Sequence, residues 1–306
     1  MKKKKGKINK KRLFILVFAV VLFIFLISRV FIGIKGYIES RNHVNNQINT
    51  QDNVEKEQKH IVNVVIDPAK GGINQGLATP DGSMKEKDIS LDLAKRVKAE
   101  LEKNDDVKVW LTREYDDNLD LKTRVAEIEK HKADILVSIR LNAQSKSNEA
   151  EGMDTYYADL GSTKKLNTEE KSSIKPKDDD SDIKSLDSTD TEKSKSDEKK
   201  QEKIRLEKAK ERDKLCKKLA ESIQSTTLSF VDFKDRGISK KNFDIIKYTD
   251  MPSVIVQCGF ISNESDGTKL QSEDSRQNIA DGISDGILNY IDSNKENILK
   301  DRINYR

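Results

Sequence analysis

Short apolar runs rich in β-branched residues alternate along this chain with segments whose apolar residues recur every four positions. The run 61–67 ends at Pro68 and is followed closely by two glycines, which is typical of a buried strand that runs into a loop. After Glu86, apolar residues follow the spacing of one helix face. Strands that alternate with helices predict an α/β fold: a single three-layer domain with a mostly parallel sheet covered by helices on both faces.

The same patterns predict about six strands and four helices in a domain that spans residues 61–293. The predicted strands are 61–67, 107–112, 135–141, 153–157, 243–246 and 253–258, and the helices are 86–101, 121–132, about 199–230 and 276–291. Residues 294–306 are predicted to be a polar tail.

The amino terminus predicts a membrane anchor ahead of this domain. Residues 1–12 carry eight basic side chains and no acidic one, and residues 13–34 are apolar apart from Ser28, Arg29 and Gly33. Twenty-two residues in a helix span a hydrocarbon core of about 30 Å, and the basic flank favours a cytoplasmic N-terminus with the domain outside. A cleaved signal peptide is the alternative. Residues 35–60 are polar and predict a tether.

Charge and cysteine usage narrow the function classes. The net charge of +4 becomes −4 without the eight basic residues of the flank, so nothing suggests nucleic acid binding. Cys216 and Cys258 are too few for a disulfide framework. Their apolar surroundings favour buried thiols, and a disulfide bond between them is the alternative.

A charged segment interrupts the domain at residues 163–200. Of the residues 163–213, 30 of 51 are charged, which predicts disorder over the first two-thirds. Lys, Glu, Gln, Leu and Ala then predict a long helix whose first half projects into solvent. The segment is interpreted as a tolerated surface insertion in preference to a dedicated binding arm.

Four motifs together resemble one enzyme family. They are Val64-Val65-Ile66-Asp67-Pro68-Ala69-Lys70-Gly71-Gly72, Glu86-Lys87-Asp88, Ser138-Ile139-Arg140-Leu141-Asn142-Ala143 and Val256-Gln257-Cys258-Gly259-Phe260. Their order and spacing resemble the zinc-dependent N-acetylmuramoyl-L-alanine amidases of the Amidase_3 type, which cut peptidoglycan between glycan and stem peptide. The resemblance implies an α/β amidase fold and a site at the strand ends.

The resemblance also implies a site that has lost its chemistry. In the family, the positions of Lys70 and Arg140 are zinc histidines, Glu86 is the carboxylate ligand and Gln257 is the catalytic glutamate. A guanidinium has no free lone pair, and a lysine coordinates metal only when deprotonated. An amide cannot take a proton from water as a general base. We therefore predict no catalytic residue, no metal ligand and no zinc, and a degenerate pocket formed by these four residues.

No histidine of the chain stands at a ligand position. His43 lies in the tether, His60 just before the first strand and His131 at the end of a helix. One hypothesis for the pocket is that Lys70 and Arg140 stand where the metal stood and pair with Glu86. The alternative is that the pocket opened to solvent and its residues drifted.

These observations predict a membrane-anchored, extracytoplasmic, amidase-like protein without catalytic activity. It would bind peptidoglycan or a cell-envelope protein, as a wall-binding, regulatory or scaffold component. The alternative is an active N-acetylmuramoyl-L-alanine amidase with an unusual metal site. The Lys-, Asn- and Ile-rich composition suits a low-GC Gram-positive bacterium.

Overall fold

The computed structural model describes residues 61–142, 149–158 and 191–304 of the chain. The strands are β1 Val62–Pro68, β2 Val107–Leu111, β3 Ile135–Asn142, β4 Met153–Tyr157, β5 Asp235–Lys240 and β6 Ser253–Phe260. The helices are α1 Glu86–Leu101, α2 Leu121–Lys130, α3 Thr191–Phe230, α4 Asp244–Lys247, α5 Glu264–Gln271 and α6 Glu273–Asn304.

The strands form one sheet in the order β2-β1-β3-β6-β4-β5. Four strands, β2, β1, β3 and β6, run parallel to one another. Strand β4 runs antiparallel to β6, and β5 is parallel to β4. The predicted three-layer α/β domain with a mostly parallel sheet is confirmed. Because the carboxyl ends of β1, β3 and β6 meet at one edge, residues from distant parts of the sequence are brought together there.

Helices cover both faces of the sheet, which is why its central strands are apolar on both sides. The larger core cluster joins Val64 and Ile66 of β1 to α1, α3 and α6. The smaller cluster joins Val65 of β1 to α2 and to Ile245 and Ile246 of α4. Because side chains alternate between the two faces of a strand, Asp67, Arg140 and Gln257 lie on the face that carries the smaller cluster.

The predicted strand 243–246 is wrong. These residues form the single helical turn α4, which turns Ile245 and Ile246 into the core, and the strand of this region is β5 instead. Strand β5 lies at the sheet edge and pairs only with β4 in the described sheet, so its polar sequence needs no apolar face. Periodicity therefore gave no signal for it.

The carboxyl-terminal helices are longer than predicted. Helix α5 was not predicted, and α6 continues to Asn304, so most of the predicted polar tail 294–306 is helical. Ile298 is only 4% exposed because it extends the inward-facing stripe of Ile287 and Ile291 by two further turns.

Helix α3 begins at Thr191, eight residues before the predicted start. Its described side chains between 200 and 211 are almost all exposed, as expected for a helix that projects into solvent, and Leu215 and Leu219 then enter the core. None of the helices within the described residues is long and apolar enough to cross a membrane. The predicted basic segment 1–12, anchor 13–34 and tether 35–60, and residues 163–190 of the charged insertion, lie outside the described residues.

Candidate functional site

A buried carboxylate at the end of β1 organises the base of the site. Asp67 accepts hydrogen bonds from Thr112 Oγ1 at 2.8 Å, from Ser138 Oγ at 2.6 Å and from Arg124 Nε at 2.8 Å, and Arg124 Nη2 binds its second oxygen. Burial opposes ionisation of Asp67, but the charge and hydrogen bonds of Arg124 and the bond from Ser138 outweigh it and lower its pKa. Asp67 therefore fixes the ends of β1, β2 and β3 relative to α2.

Arg113 holds the loop that follows β1. Its guanidinium donates to the carbonyl oxygens of Pro68 at 3.3 Å, Ala69 at 3.1 Å and Lys87 at 2.9 Å. Lys70 comes next in this loop with a φ of +64°, a left-handed conformation that is unfavourable for a residue with a Cβ atom. Thr112, Arg113 and Arg124 thus hold the strand ends and the loop in place.

Glu86 begins α1 and is buried beneath this loop, at 5% exposure. Its carboxylate interacts with the backbone of Leu141 and Leu77, and the Lys70 ammonium lies 3.9 Å from Oε2. The loop covers it so closely that a Cβ atom at Gly76 would stand 2.3 Å from that oxygen. Burial nevertheless raises the pKa of Glu86 against the effect of Lys70, so the ion pair compensates the buried carboxylate only in part.

Arg140, Gln257 and Asp154 form a row across three neighbouring strands. Gln257 of β6 is the register partner of Arg140 of β3 on one side and of Asp154 of β4 on the other. Arg140 Nε donates to Ser138 Oγ at 3.3 Å, and its guanidinium lies 5.6 Å from the Phe243 ring centroid. No ion pair joins Arg140 to Glu86, so of the two predicted pairings the structure contains only the one made by Lys70.

Gln257 is buried, at 7% exposure, and its Oε1 has no hydrogen-bond partner among the described residues. Asp154 is also buried and accepts a hydrogen bond from Asn142 Nδ2 at 2.6 Å. Sequence reasoning identified Gln257 but missed Asp154 and Phe243. Neither belongs to a motif: the register of β4 places Asp154 beside Gln257, and the start of the turn α4 places Phe243 beside Arg140.

The donors present do not fit a catalytic zinc. Zinc takes about three nitrogen, sulfur or carboxylate donors and keeps one position open for water. Glu86 is the one such donor among the four pocket residues. The Lys70 ammonium and the Arg140 guanidinium offer no lone pair, and the amide oxygen of Gln257 is a poor zinc ligand. Within the described part of the chain, no three His, Cys, Asp or Glu residues are grouped so that they could hold a metal ion.

The remaining histidine and cysteine side chains lie elsewhere. His131 stacks on Trp110 with ring centroids 4.8 Å apart, and burial lowers its pKa. His43 and His60 lie outside the described residues. Cys216 and Cys258 are separate buried thiols, so the possible bridge between them is not formed, and burial raises the pKa of both.

Comparison with known families agrees with this geometry. The family model described as N-acetylmuramoyl-L-alanine amidase, Amidase_3, matches residues 64–289, which include Lys70, Glu86, Arg140 and Gln257. The chain belongs to this amidase family. The predicted family is therefore confirmed.

Individual relatives share the domain at low identity. The chain is 31% identical over 229 residues to the uncharacterized protein YqiI of Bacillus subtilis, covering 75% of this chain and 84% of YqiI. It is 29% identical to the B. subtilis N-acetylmuramoyl-L-alanine amidase LytC over 74% of this chain, but spans only 35% of LytC. A crystal structure of an N-acetylmuramoyl-L-alanine amidase from Clostridium difficile 630 superposes with a TM-score of 0.57 and 29% identity, covering 76% of this chain and 98% of that one.

Proposed function

We propose that this protein is a membrane-tethered, catalytically inactive member of the amidase family that works on the outer face of the membrane by binding. Its target is peptidoglycan or a cell-envelope protein, bound at the pocket formed by Lys70, Glu86, Arg140 and Gln257. Family membership supports the cell-wall context. The basic flank and apolar run at residues 1–34 support the tether.

The observation that carries the inactive assignment is the chemistry at three positions. Lys70 and Arg140 replace lone-pair donors with cations, and Gln257 replaces a general base with an amide. The framework around them is kept, since Asp67 and Arg113 still hold the strand ends and the loop in place. A framework that holds the strand ends in place around side chains without reactive groups supports recognition without hydrolysis.

Elemental analysis and a hydrolysis assay test this proposal. The full chain, purified in detergent, is measured for zinc content and for release of alanine-linked peptides from muropeptides. We expect well under one zinc per chain and no protein-dependent release. About one zinc per chain together with release would overturn the proposal in favour of the active amidase with an unusual metal site.

A restored variant makes a negative result informative. Lys70→His, Arg140→His and Gln257→Glu together would recreate the donor set that the family uses around Glu86. We expect this variant to gain zinc, and the same variant with Glu86→Gln to lose it again. LytC, assayed in parallel, shows that the muropeptide preparation is a usable substrate.

A further inference from the structure

The carbonyl oxygen of Gln257 is an unsatisfied acceptor beside Arg140 in the register of the sheet. It is buried, and no described residue donates to it. Gln224 is buried to the same degree, but its oxygen accepts from Thr155 Oγ1 at 2.8 Å. Buried polar atoms without partners are rare because their loss of hydration is not compensated. A bound molecule that offers an N–H or O–H group would supply the missing partner of Gln257.

Arg140 offers complementary groups beside this acceptor. The two residues are register partners on parallel strands, whose backbones lie about 4.8 Å apart. Arg140 uses Nε to bind Ser138, and its two terminal nitrogens make no hydrogen bond to any described residue. The terminal N–H groups of a guanidinium form a fixed fork that matches a carboxylate.

The charged groups that face Arg140 do not neutralise it directly. They are Asp67, Glu86, Asp244 and Arg124. Asp67 is held by Arg124, and Glu86 is paired with Lys70. Asp244 is exposed at the start of α4, where water screens its charge. Arg140 is therefore the partly buried cation of the pocket that lacks a dedicated anionic partner within the described structure.

The N-acetylmuramoyl unit of peptidoglycan carries one group that complements Arg140 and one that complements the Gln257 oxygen. An N-acetylmuramoyl unit has an acetamido N–H on one ring carbon and a lactyl group on the next. When a peptide is attached, the lactyl carbonyl is a neutral amide, and when it is absent the same group is a carboxylate. We propose that this site binds the peptide-free N-acetylmuramoyl unit, with its lactyl carboxylate on Arg140 and its acetamido N–H on Gln257. This inference rests on the proposed function.

Charge explains why the site would prefer the peptide-free unit. The lactyl carboxylate carries a full negative charge and can accept from both terminal nitrogens of Arg140, whereas the carbonyl of the neutral amide has no net charge to pair with the guanidinium. The Lys70–Glu86 pair carries no net charge, so Arg140 gives the pocket its positive charge. The freed amino end of a peptide is cationic, so Arg140 disfavours it. The substitutions that remove the catalytic metal would thus turn a site for the amide into a site for the corresponding acid.

Calorimetric titration of the full chain in detergent tests this preference. The probes are N-acetylmuramic acid, its neutral lactyl carboxamide, N-acetylglucosamine, which lacks the lactyl group, and N-acetyl-L-alanine, which has both polar groups without the sugar. We expect N-acetylmuramic acid to bind at least about tenfold more tightly than the other three. Equal or tighter binding of the carboxamide would overturn the inference. Equal binding of N-acetyl-L-alanine would also overturn it and would identify a peptide carboxylate site.

Variants assign the binding to the two residues. Arg140→Gln should weaken N-acetylmuramic acid binding about tenfold or more, and Arg140→Lys should weaken it less because the charge remains. Gln257→Leu should weaken it several-fold. Lys95→Gln, which removes an exposed charge from α1, is the matched control and should bind normally. Thermal unfolding of each variant verifies the fold, and unchanged affinity in folded Arg140→Gln would contradict the assignment.

The outcome separates this inference from the function on which it rests. Hydrolysis of muropeptide by the same preparation would refute the proposed inactivity, whichever probe binds best. Absence of hydrolysis together with a preference for the carboxamide would leave the proposed function in place and refute only the acid preference.

Discussion

Asp67 and Arg124 form a bidentate ion pair at the base of the pocket of Lys70, Glu86, Arg140 and Gln257. The carboxylate is fully buried, and the guanidinium reaches it from α2 with both Nε and Nη2. The pair links the end of β1 to a helix on the site face of the sheet. The pair therefore fixes the base of the site.

Removing one partner of this pair should be strongly destabilising. Asp67→Asn would leave the Arg124 charge largely buried without its anion, and we expect the free energy of unfolding to fall by about 3 kcal/mol or more. Urea denaturation measures the change. Asp105→Asn, at an exposed position, is the control and should change stability by under about 0.5 kcal/mol. Similar values for the two variants would contradict the structural role of the pair.

The same pair predicts a pH dependence. The pKa of Asp67 is lower in the folded protein than its ordinary value, because Arg124 and Ser138 outweigh the effect of burial. Its ionisation therefore stabilises the fold above the unfolded pKa of about 4, and this contribution is lost as pH falls through the folded pKa. The stability difference between wild type and Asp67→Asn should shrink from pH 7 to pH 3. A difference that grew on acidification would show the opposite sign.

Two buried glutamines should respond differently to the same replacement. Gln224 makes three hydrogen bonds, to Thr155, Met153 and Asp235, whereas the Gln257 oxygen makes none in the described structure. In the absence of ligand, Gln224→Leu should cost about 2 to 4 kcal/mol and Gln257→Leu under about 1 kcal/mol. Guanidinium denaturation compares them. An equal cost would mean that the Gln257 oxygen has a partner in the free protein.

The stabilising effect of the pocket ion pair can be separated from the backbone strain at Lys70. This residue has a φ of +64°. Replacement by glycine should relieve about 1 kcal/mol of strain, and it also removes the pair with Glu86, which is worth at most about 1 kcal/mol because Lys70 is 36% exposed and 3.9 Å away. A double-mutant cycle of Lys70→Gly and Glu86→Gln, measured by urea denaturation, cancels the strain and isolates the pair. We expect a coupling energy between about 0.3 and 1 kcal/mol; no coupling would exclude a stabilising pair.

Buried strands were predictable because a strand that is covered on both faces needs apolar residues at nearly every position. Strands β1, β3 and β6 are covered on both faces, so they appear as continuous apolar runs. Strand β5 is held at the sheet edge by backbone pairing to β4, and its polar side chains carried no comparable signal. The neighbouring pair Ile245 and Ile246 was misassigned because two apolar residues suit one turn of helix as well as a strand.

The pocket was predictable as a set of residues but not as a set of contacts. Motif spacing identified Lys70, Glu86, Arg140 and Gln257, and the strands bring all four to one edge of the sheet. Which of the cations approaches Glu86 depended on the loop conformation at Lys70 and on the Ser138 hydroxyl that holds Arg140. Side-chain partners of this kind depend on distances between strands that are far apart in sequence.

Residue identity alone predicted the chemistry of this pocket, because the presence of a lone pair or a removable proton is a property of each side chain whatever its position. The sequence therefore predicted the amidase-type scaffold, which family membership confirms, and a pocket without the family's donor set. Only the tertiary structure decided that Lys70 pairs with Glu86, that Arg140 stands beside Gln257 and that the Gln257 oxygen is left without a partner. These features follow from sheet register and burial, which arise when β3, β4 and β6 come together and water is excluded between them.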